Sequence, residues 1–126
     1  MYDFLINPRA FRAILAGTKT TEIRVSTEEE PFPYEDLTAG DVLRFEDTES
    51  GQKLCVTVVS TQHYPDAESL LASEDIRVAM SSTNDPVVGA ERIRSFPGYR
   101  EGMLRNGVWA IRLKDPGLSD YITYRR

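Results

Sequence analysis

The feature that most constrains the fold is a pair of alternating apolar runs separated by five residues. Residues 41–48 and 54–64 both show the period of two that is typical of a half-buried strand. The connection Glu49–Lys53 contains Gly51, and its length suits a hairpin. We therefore predict two strands, Asp41–Thr48 and Leu54–Tyr64, that pair antiparallel.

The remaining patterns predict a single α+β domain over residues 1–126, because a chain of this length fits one compact domain and no linker or repeat divides it. Proline, glycine and cap residues delimit the other elements. We predict strands at Phe4–Ile6, Thr20–Val25 and Val108–Lys114, helices over about Pro8–Ala16, 67–71, 76–80 and 86–96, a loop over Tyr99–Arg105, and a C-terminal extension at 115–126 with an edge strand at Tyr121–Tyr124. This order predicts a mainly antiparallel β-barrel with helices packed at its rim.

Composition excludes several classes of function. No run approaches the roughly eighteen apolar residues of a membrane span, and the N-terminus lacks the pattern of a secretory signal. We therefore expect a cytoplasmic protein without a membrane partner. Cys55 is the only cysteine and His63 the only histidine, so the chain lacks a recognisable zinc ligand set. We expect no metal and no cofactor.

Charge is unevenly distributed along the chain. The net charge is −5, and residues 26–50 contain one basic and nine acidic residues, a balance of −8. An acidic protein is an unfavourable partner for nucleic acid, yet both ends of this chain are mildly basic. A fold that joins the two ends would present a positive cleft. The acidic loop 26–50 offers a separate surface for a protein partner.

The segment Gly17–Arg24 contains the charged residues with the clearest chemical potential. Strand alternation places Glu22 and Arg24 on one face, with Lys19 at the preceding turn. In one interpretation these residues belong to a solvated strand face with a weak ion pair, worth ~0 to 1 kcal/mol. In the other, Lys19 and Arg24 bind phosphate while Glu22 clamps Arg24 or accepts a proton.

The spacing Gly17, Lys19, Glu22, Arg24 resembles the G-x-K-x-x-E-x-R signature of the ASCH domain family, at the position that family has it. The preceding helix, residues 7–16, is similar to the family's helix. The segments 37–43 and 107–113 resemble its "x-x-G-D-x-L" approach and its closing strand. The resemblance covers residues 3–114 and implies a PUA-like fold with the motif in a cleft between barrel and helices.

The resemblance also implies a function. The family is regarded as RNA-binding, so the expected partner is single-stranded RNA or a nucleoside or nucleotide, contacted by Lys19, Thr20, Glu22 and Arg24. Some members are hydrolases, which leaves open a ribonuclease or modified-nucleoside amidohydrolase with Lys19 and Glu22 as catalytic residues. The related amidohydrolases have threonine where this chain has Glu22, and this difference favours binding over deacylation.

Aromatic residues offer stacking surfaces for unpaired bases. Tyr99 and Arg100 lie together between glycines and are the best candidates for a basic, stacking rim. Trp109 fits a core position better. His63 is predicted to be structural, and Cys55 to be a small buried hydrophobe.

Overall fold

The computed structural model describes residues 1–115 together with the backbone of residues 121–122. The strands are β1 Tyr2–Ile6, β2 Thr21–Arg24, β3 Val42–Asp47, β4 Lys53–Tyr64, β5 Val108–Leu113 and β6 Tyr121–Ile122. The helices are α1 Pro8–Leu15, α2 Ala67–Ser73, α3 Ile76–Ala79, α4 Pro86–Ser95 and α5 Tyr99–Asn106, with a 3-10 turn at Tyr34–Asp36. The predicted α+β class is confirmed.

The hairpin predicted from the alternating runs organises the sheet. β3 and β4 pair antiparallel from Glu46 opposite Lys53 to Val42 opposite Thr57. The strand order is β1-β3-β4-β5-β2, and only the β1–β3 pair among these strands is parallel. β6 pairs with the start of β4. The predicted edge strand is thus present over Tyr121–Ile122, and residues 123–126 lie outside the described part of the chain.

The length of β4 curls the sheet. Its first half pairs with β3 and its second half with β5, and the register shifts between Val58 and Ser60. Irregularities of this kind bend a strand and increase its twist. The result is a half-barrel rather than a closed barrel, because no ladder joins β1 to β2 among the described residues. We call this gap between the two edge strands the seam.

Two cores lie on opposite faces of β5. The inner core, on the concave side of the curled sheet, contains Phe11, Leu43, Phe45 and Ile111. The outer core lies under α2, α4 and α5. Val108 and Ala110, which alternate along β5 with residues of the inner face, are fully buried there. β5 is therefore covered on both faces, as a central strand between two layers should be.

Residues 99–106 form a helix and not the predicted loop. Gly98 and Gly107, at φ +77° and +72°, bound the helix. The α5 backbone packs closely on the segment after β2: a Cβ on Gly102 would lie 2.7 Å from Val25 Cγ1. The glycines that signalled a loop therefore mark helix ends and a close helix contact. Among the described residues, no helix is long and apolar enough to cross a membrane.

Candidate functional site

The candidate site begins at the turn after α1. Gly17 adopts φ +79°, the left-handed conformation expected at the C-terminal end of a helix. The backbone N–H groups of Thr18 and Lys19 both donate to Ala13 O, at 3.0 and 3.1 Å. Lys19 directly follows this turn and is only 6% exposed.

Lys19 is held by three oxygen atoms. Its Nζ donates to the backbone O atoms of Thr21 (2.7 Å) and Ala79 (2.5 Å) and lies 3.4 Å from Glu22 Oε1. An ammonium group has three donors, so these contacts satisfy it. The bond to Ala79 ties the end of α3 to the start of β2. Lys19 is therefore an internal anchor in this structure and not an exposed cation.

Glu22 links Lys19 to Arg24. Glu22 Oε1 faces Lys19, whereas Glu22 Oε2 accepts from Arg24 Nε at 2.8 Å and lies 2.8 Å from Arg24 Nη2. The Glu22 side chain is 8% exposed and that of Arg24 is 13% exposed. The predicted shared face of β2 is thus present, and it carries a buried ionic triad and not a solvated pair.

The ionisation of the triad follows from its charges. Burial is the strongest influence on Glu22 and would raise its pKa, but the adjacent Arg24 and Lys19 together lower the pKa below 4.5. Burial lowers the pKa of Lys19, and Glu22 opposes this effect. The pKa of Arg24 is raised, because Glu22 outweighs desolvation. Glu22 is therefore a carboxylate at neutral pH.

Arg24 crosses the seam between the two edge strands. Its Nη2 donates to Leu5 O of β1 at 3.0 Å, and its guanidinium carbon lies 4.9 Å from the centre of the Phe4 ring. The planar guanidinium group suits stacking on an aromatic face. Arg24 Nη1 donates no hydrogen bond to any of the described residues. That nitrogen is the unused donor of the triad.

A cleft of about 640 Å³ lies along the seam, with a volume in the range of small-molecule sites. Lys19, Glu22 and Arg24 all line it. Its walls come from β1, the start of α1, the segment 27–30, the segment 79–82 after α3, and the ends of α4 and α5. The motif therefore lies in a concave pocket and does not spread across a flat surface.

Of the other predicted site residues, the fold places Tyr99 in the cleft and leaves Thr20 and Arg100 outside its lining. Tyr99 lines the cleft, and burial raises the pKa of its hydroxyl, which therefore stays protonated. Thr20 and Arg100 are not among the lining residues. The backbone N–H of Thr20 donates to Val78 O at 2.9 Å. Arg100 lies 3.2 Å from Glu91 on the exposed surface of the helices.

Sequence reasoning missed several cleft residues. Arg92 of α4 lines the cleft and donates to Ser82 O at 2.6 Å. Arg9 lines it as well, and the acidic loop contributes Glu29 and Glu30. Tyr34 also lines the cleft, and it is one of the aromatic residues that the sequence offers for stacking on a base. No local pattern could reveal these positions, because segments far apart in the sequence form the walls.

The described part of the structure also contains a second hollow, of about 470 Å³. It is lined by Ser26, Phe32, Glu35, His63, Asn106 and Trp109. His63 and Trp109 are opposite each other on β4 and β5, with ring centres 4.9 Å apart. His63 Nε2 lies 2.8 Å from Asn106 O. Trp109 is only half-buried and takes part in this surface.

Neither site contains an obvious metal centre. Within the described residues, no group of three or more His, Cys, Asp or Glu side chains could hold a metal ion. Cys55 is a free, half-buried thiol on β4 and lines neither cavity.

Comparison with known proteins identifies structural relatives only. No family model and no curated protein matches the chain. The crystal structure of hypothetical protein PH0355 is similar with a TM-score of 0.74 and 23% identity, over 90% of this chain and 96% of that one. The solution structure of protein PF0455 from Pyrococcus furiosus is similar with a TM-score of 0.66 and 21% identity, over 90% and 94%. At such identities, the likeness concerns the fold.

Proposed function

We propose that this protein is a PUA-like, ASCH-type domain that binds single-stranded RNA or a nucleotide in the cleft along the seam, with a phosphate group at Arg24. One observation carries the proposal: the Arg24 guanidinium group is oriented by Glu22 in the wall of a large cleft, and its Nη1 is free of acceptors among the described residues. A guanidinium group held in this way is prepared for an anion.

The surroundings of Arg24 support a phosphate ligand. The pKa of Tyr34 is raised by burial, as is that of Tyr99, so both hydroxyl groups stay neutral donors beside the guanidinium group. Arg9 and Arg92 add positive charge to the cleft walls. Phe96, which is 46% exposed, contacts the Tyr99 ring and offers an apolar face for a base. Phosphate recognition next to an aromatic surface is the usual arrangement in single-strand binding.

In this proposal Lys19 and Glu22 act through other groups. Lys19 has its donors on two backbone oxygens and Glu22, so it positions the wall that follows α3. Glu22 is a positioning residue for Arg24. The motif would then serve ligand recognition by shaping the cleft, with Arg24 as its contact residue.

The test is RNA binding measured by fluorescence anisotropy at several salt concentrations. Arg24→Lys keeps the charge beside Glu22 but removes the planar fork, and Arg92→Gln removes a cation from the wall. We expect both variants to bind more weakly, and Arg92→Gln to reduce the salt slope by about 0.7 if it loses one phosphate contact. Arg77→Gln, at an exposed residue outside the cleft, is the matched control.

The proposal is wrong if Arg24→Lys and Arg92→Gln both bind RNA and mononucleotides like the wild type. Thermal unfolding of each variant identifies a loss of binding that results from misfolding. Arg24→Lys is chosen over a neutral substitution because it leaves Glu22 with a cationic partner.

A hydrolase that uses the same cleft is the second candidate. The observation in its favour is the lowered pKa of Lys19, 3.4 Å from Glu22, since such lysines can transfer protons. Against it, the contacts of Lys19 with backbone oxygens occupy its protons, and a carboxylate of lowered pKa is a weak base. Product formation from RNA or acylated nucleosides, absent in Glu22→Gln, would establish this activity.

A further inference from the structure

The second hollow differs from the cleft in chemistry as well as in position. The cleft presents a guanidinium group and phenol donors, whereas the hollow combines aromatic rings with a carboxylate. Phe32 connects the two, because its ring contacts Phe4 and Tyr34 at 5.1 and 4.7 Å and also lines the hollow. One ligand could therefore extend from one cavity toward the other.

We propose that this hollow binds a guanine base, which stacks on the aromatic rings and donates its N1–H and N2–H groups to Glu35. The proposal deepens the proposed function, since it rests on a nucleic-acid ligand and specifies the base. It depends on different residues from those that would hold the phosphate.

The stacking surface consists of Trp109, Phe32 and His63. All three line the hollow, Trp109 and Phe32 are half-buried and His63 is exposed, so each ring keeps surface that a ligand could contact. In the neutral histidine, the proton lies on Nε2, where it is donated to Asn106 O at 2.8 Å. That contact fixes the imidazole beside the indole. Unpaired bases are typically bound between rings of this kind.

The polar groups select the base. Glu35 is exposed on the 3-10 turn, and its carboxylate has no hydrogen bond or ion pair within residues 1–115. A carboxylate accepts two parallel hydrogen bonds, and guanine is the standard base with two adjacent donors on its Watson–Crick edge. Adenine, cytosine and uracil each place an acceptor next to their donor.

Ser26 completes the complementarity. Its Oγ accepts from the Phe32 backbone N–H at 3.0 Å, so its hydroxyl proton remains to be donated. The acceptor that follows the two donors of guanine is O6. A hydroxyl donor and a carboxylate in the same hollow therefore match the complete edge of guanine.

The experiment uses Trp109, the only tryptophan of the chain, as the probe. Purified full-length protein is titrated with guanosine, adenosine, cytidine and uridine, which carry no phosphate, and the intrinsic fluorescence is recorded. We expect saturable quenching by guanosine at the lowest concentration. Glu35→Gln should weaken guanosine binding about tenfold, because an amide cannot accept both N–H groups. Glu49→Gln, an exposed carboxylate on the β3–β4 hairpin, is the matched control.

Two results would overturn the proposal: the absence of saturable quenching by guanosine, or quenching by all four nucleosides that Glu35→Gln leaves unchanged. Arg24→Lys separates this proposal from the previous one. This variant should leave guanosine binding intact and weaken the binding of guanosine monophosphate. If guanosine binds saturably but Arg24→Lys does not change the binding of guanosine monophosphate, only the phosphate site is disproved.

Discussion

Replacement of Glu22 by glutamine tests the ionic triad most directly. Glu22 is the only negative charge between Lys19 and Arg24, at 3.4 Å from one and 2.8 Å from the other. Glutamine keeps the shape and can still accept from Arg24. Its amide group, however, carries no charge and would leave two cations without a counter-charge. Solvent cannot replace that charge well, because the three side chains are at most 13% exposed.

The expected cost follows from this burial. Loss of one partner of a buried ion pair typically destabilises a protein by 3 to 5 kcal/mol, and solvent screening is weak at such low exposure. Since glutamine retains one hydrogen bond, we expect the lower end, about 3 kcal/mol of unfolding free energy. For a domain of this size, the melting temperature should fall by about 10 °C.

The assay is thermal and urea unfolding at neutral pH, with Glu91→Gln as the control. Glu91 pairs with Arg94 and Arg100 on the surface and is 63% exposed, so solvent screening should make its loss much less costly than that of Glu22. The triad would be energetically unimportant, and our reasoning refuted, if Glu22→Gln cost no more than Glu91→Gln. A second substitution, Lys19→Met, should recover part of the loss in Glu22→Gln.

The same variant should change the response to acid. The folded-state pKa of Glu22 is lowered, so its contribution to stability is complete above the unfolded value near 4.5 and is lost as the pH falls through the folded value. Between these two values the unfolded state binds more protons. The wild type should therefore lose stability more steeply than Glu22→Gln below pH 4.5, and parallel acid-unfolding curves would contradict this assignment.

Three further predictions concern the framework. Gly107→Ala should destabilise by about 2 kcal/mol or more, because φ is +72° and the new Cβ would lie 2.6 Å from Tyr64 O; Gly51→Ala, with a similar φ of +74° and open space, should cost less in the same urea titration. Lys19→Met should increase hydrogen exchange in residues 79–82 while exchange in α2 stays unchanged, and equal protection would contradict the anchoring role. Burial raises the pKa of Tyr34, so its contribution to stability is complete below the unfolded value near 10 and is lost as the pH rises through the folded value; Tyr34→Phe should flatten this alkaline decline, and an unchanged decline would contradict the burial of the hydroxyl.

The local chemistry of the chain was sufficient for a large part of the fold. Alternation and a short glycine-containing connection predict the β3–β4 hairpin, and Asn7 and Gly17 mark the ends of α1. The Asn7 side chain accepts from the Ala10 N–H at 2.9 Å, as a cap should. These signals act over a few residues, so they can be recognised without knowledge of distant contacts.

The same locality explains the errors. The glycines at 98 and 107 indicated turns, and they are the ends of α5. The pattern of α4 shows only which residues are apolar, and not which cavity the polar face borders, so it could not place Arg92 in the cleft. His63, Trp109 and Glu35 come from three elements and share a hollow only after the sheet curls.

The sequence by itself determined which residues form the hairpin, where α1 ends, and that Glu22 and Arg24 share a face of β2, because each depends on backbone periodicity or a cap. Only the tertiary structure decided what that face meets. Lys19 donates to Ala79 O, sixty positions away, and Arg24 donates to Leu5 O across the seam. Burial and long-range pairing arise only when helices and strands pack together. As a result, three charged residues that the sequence alone would allow on the surface form a buried triad at the edge of a cleft.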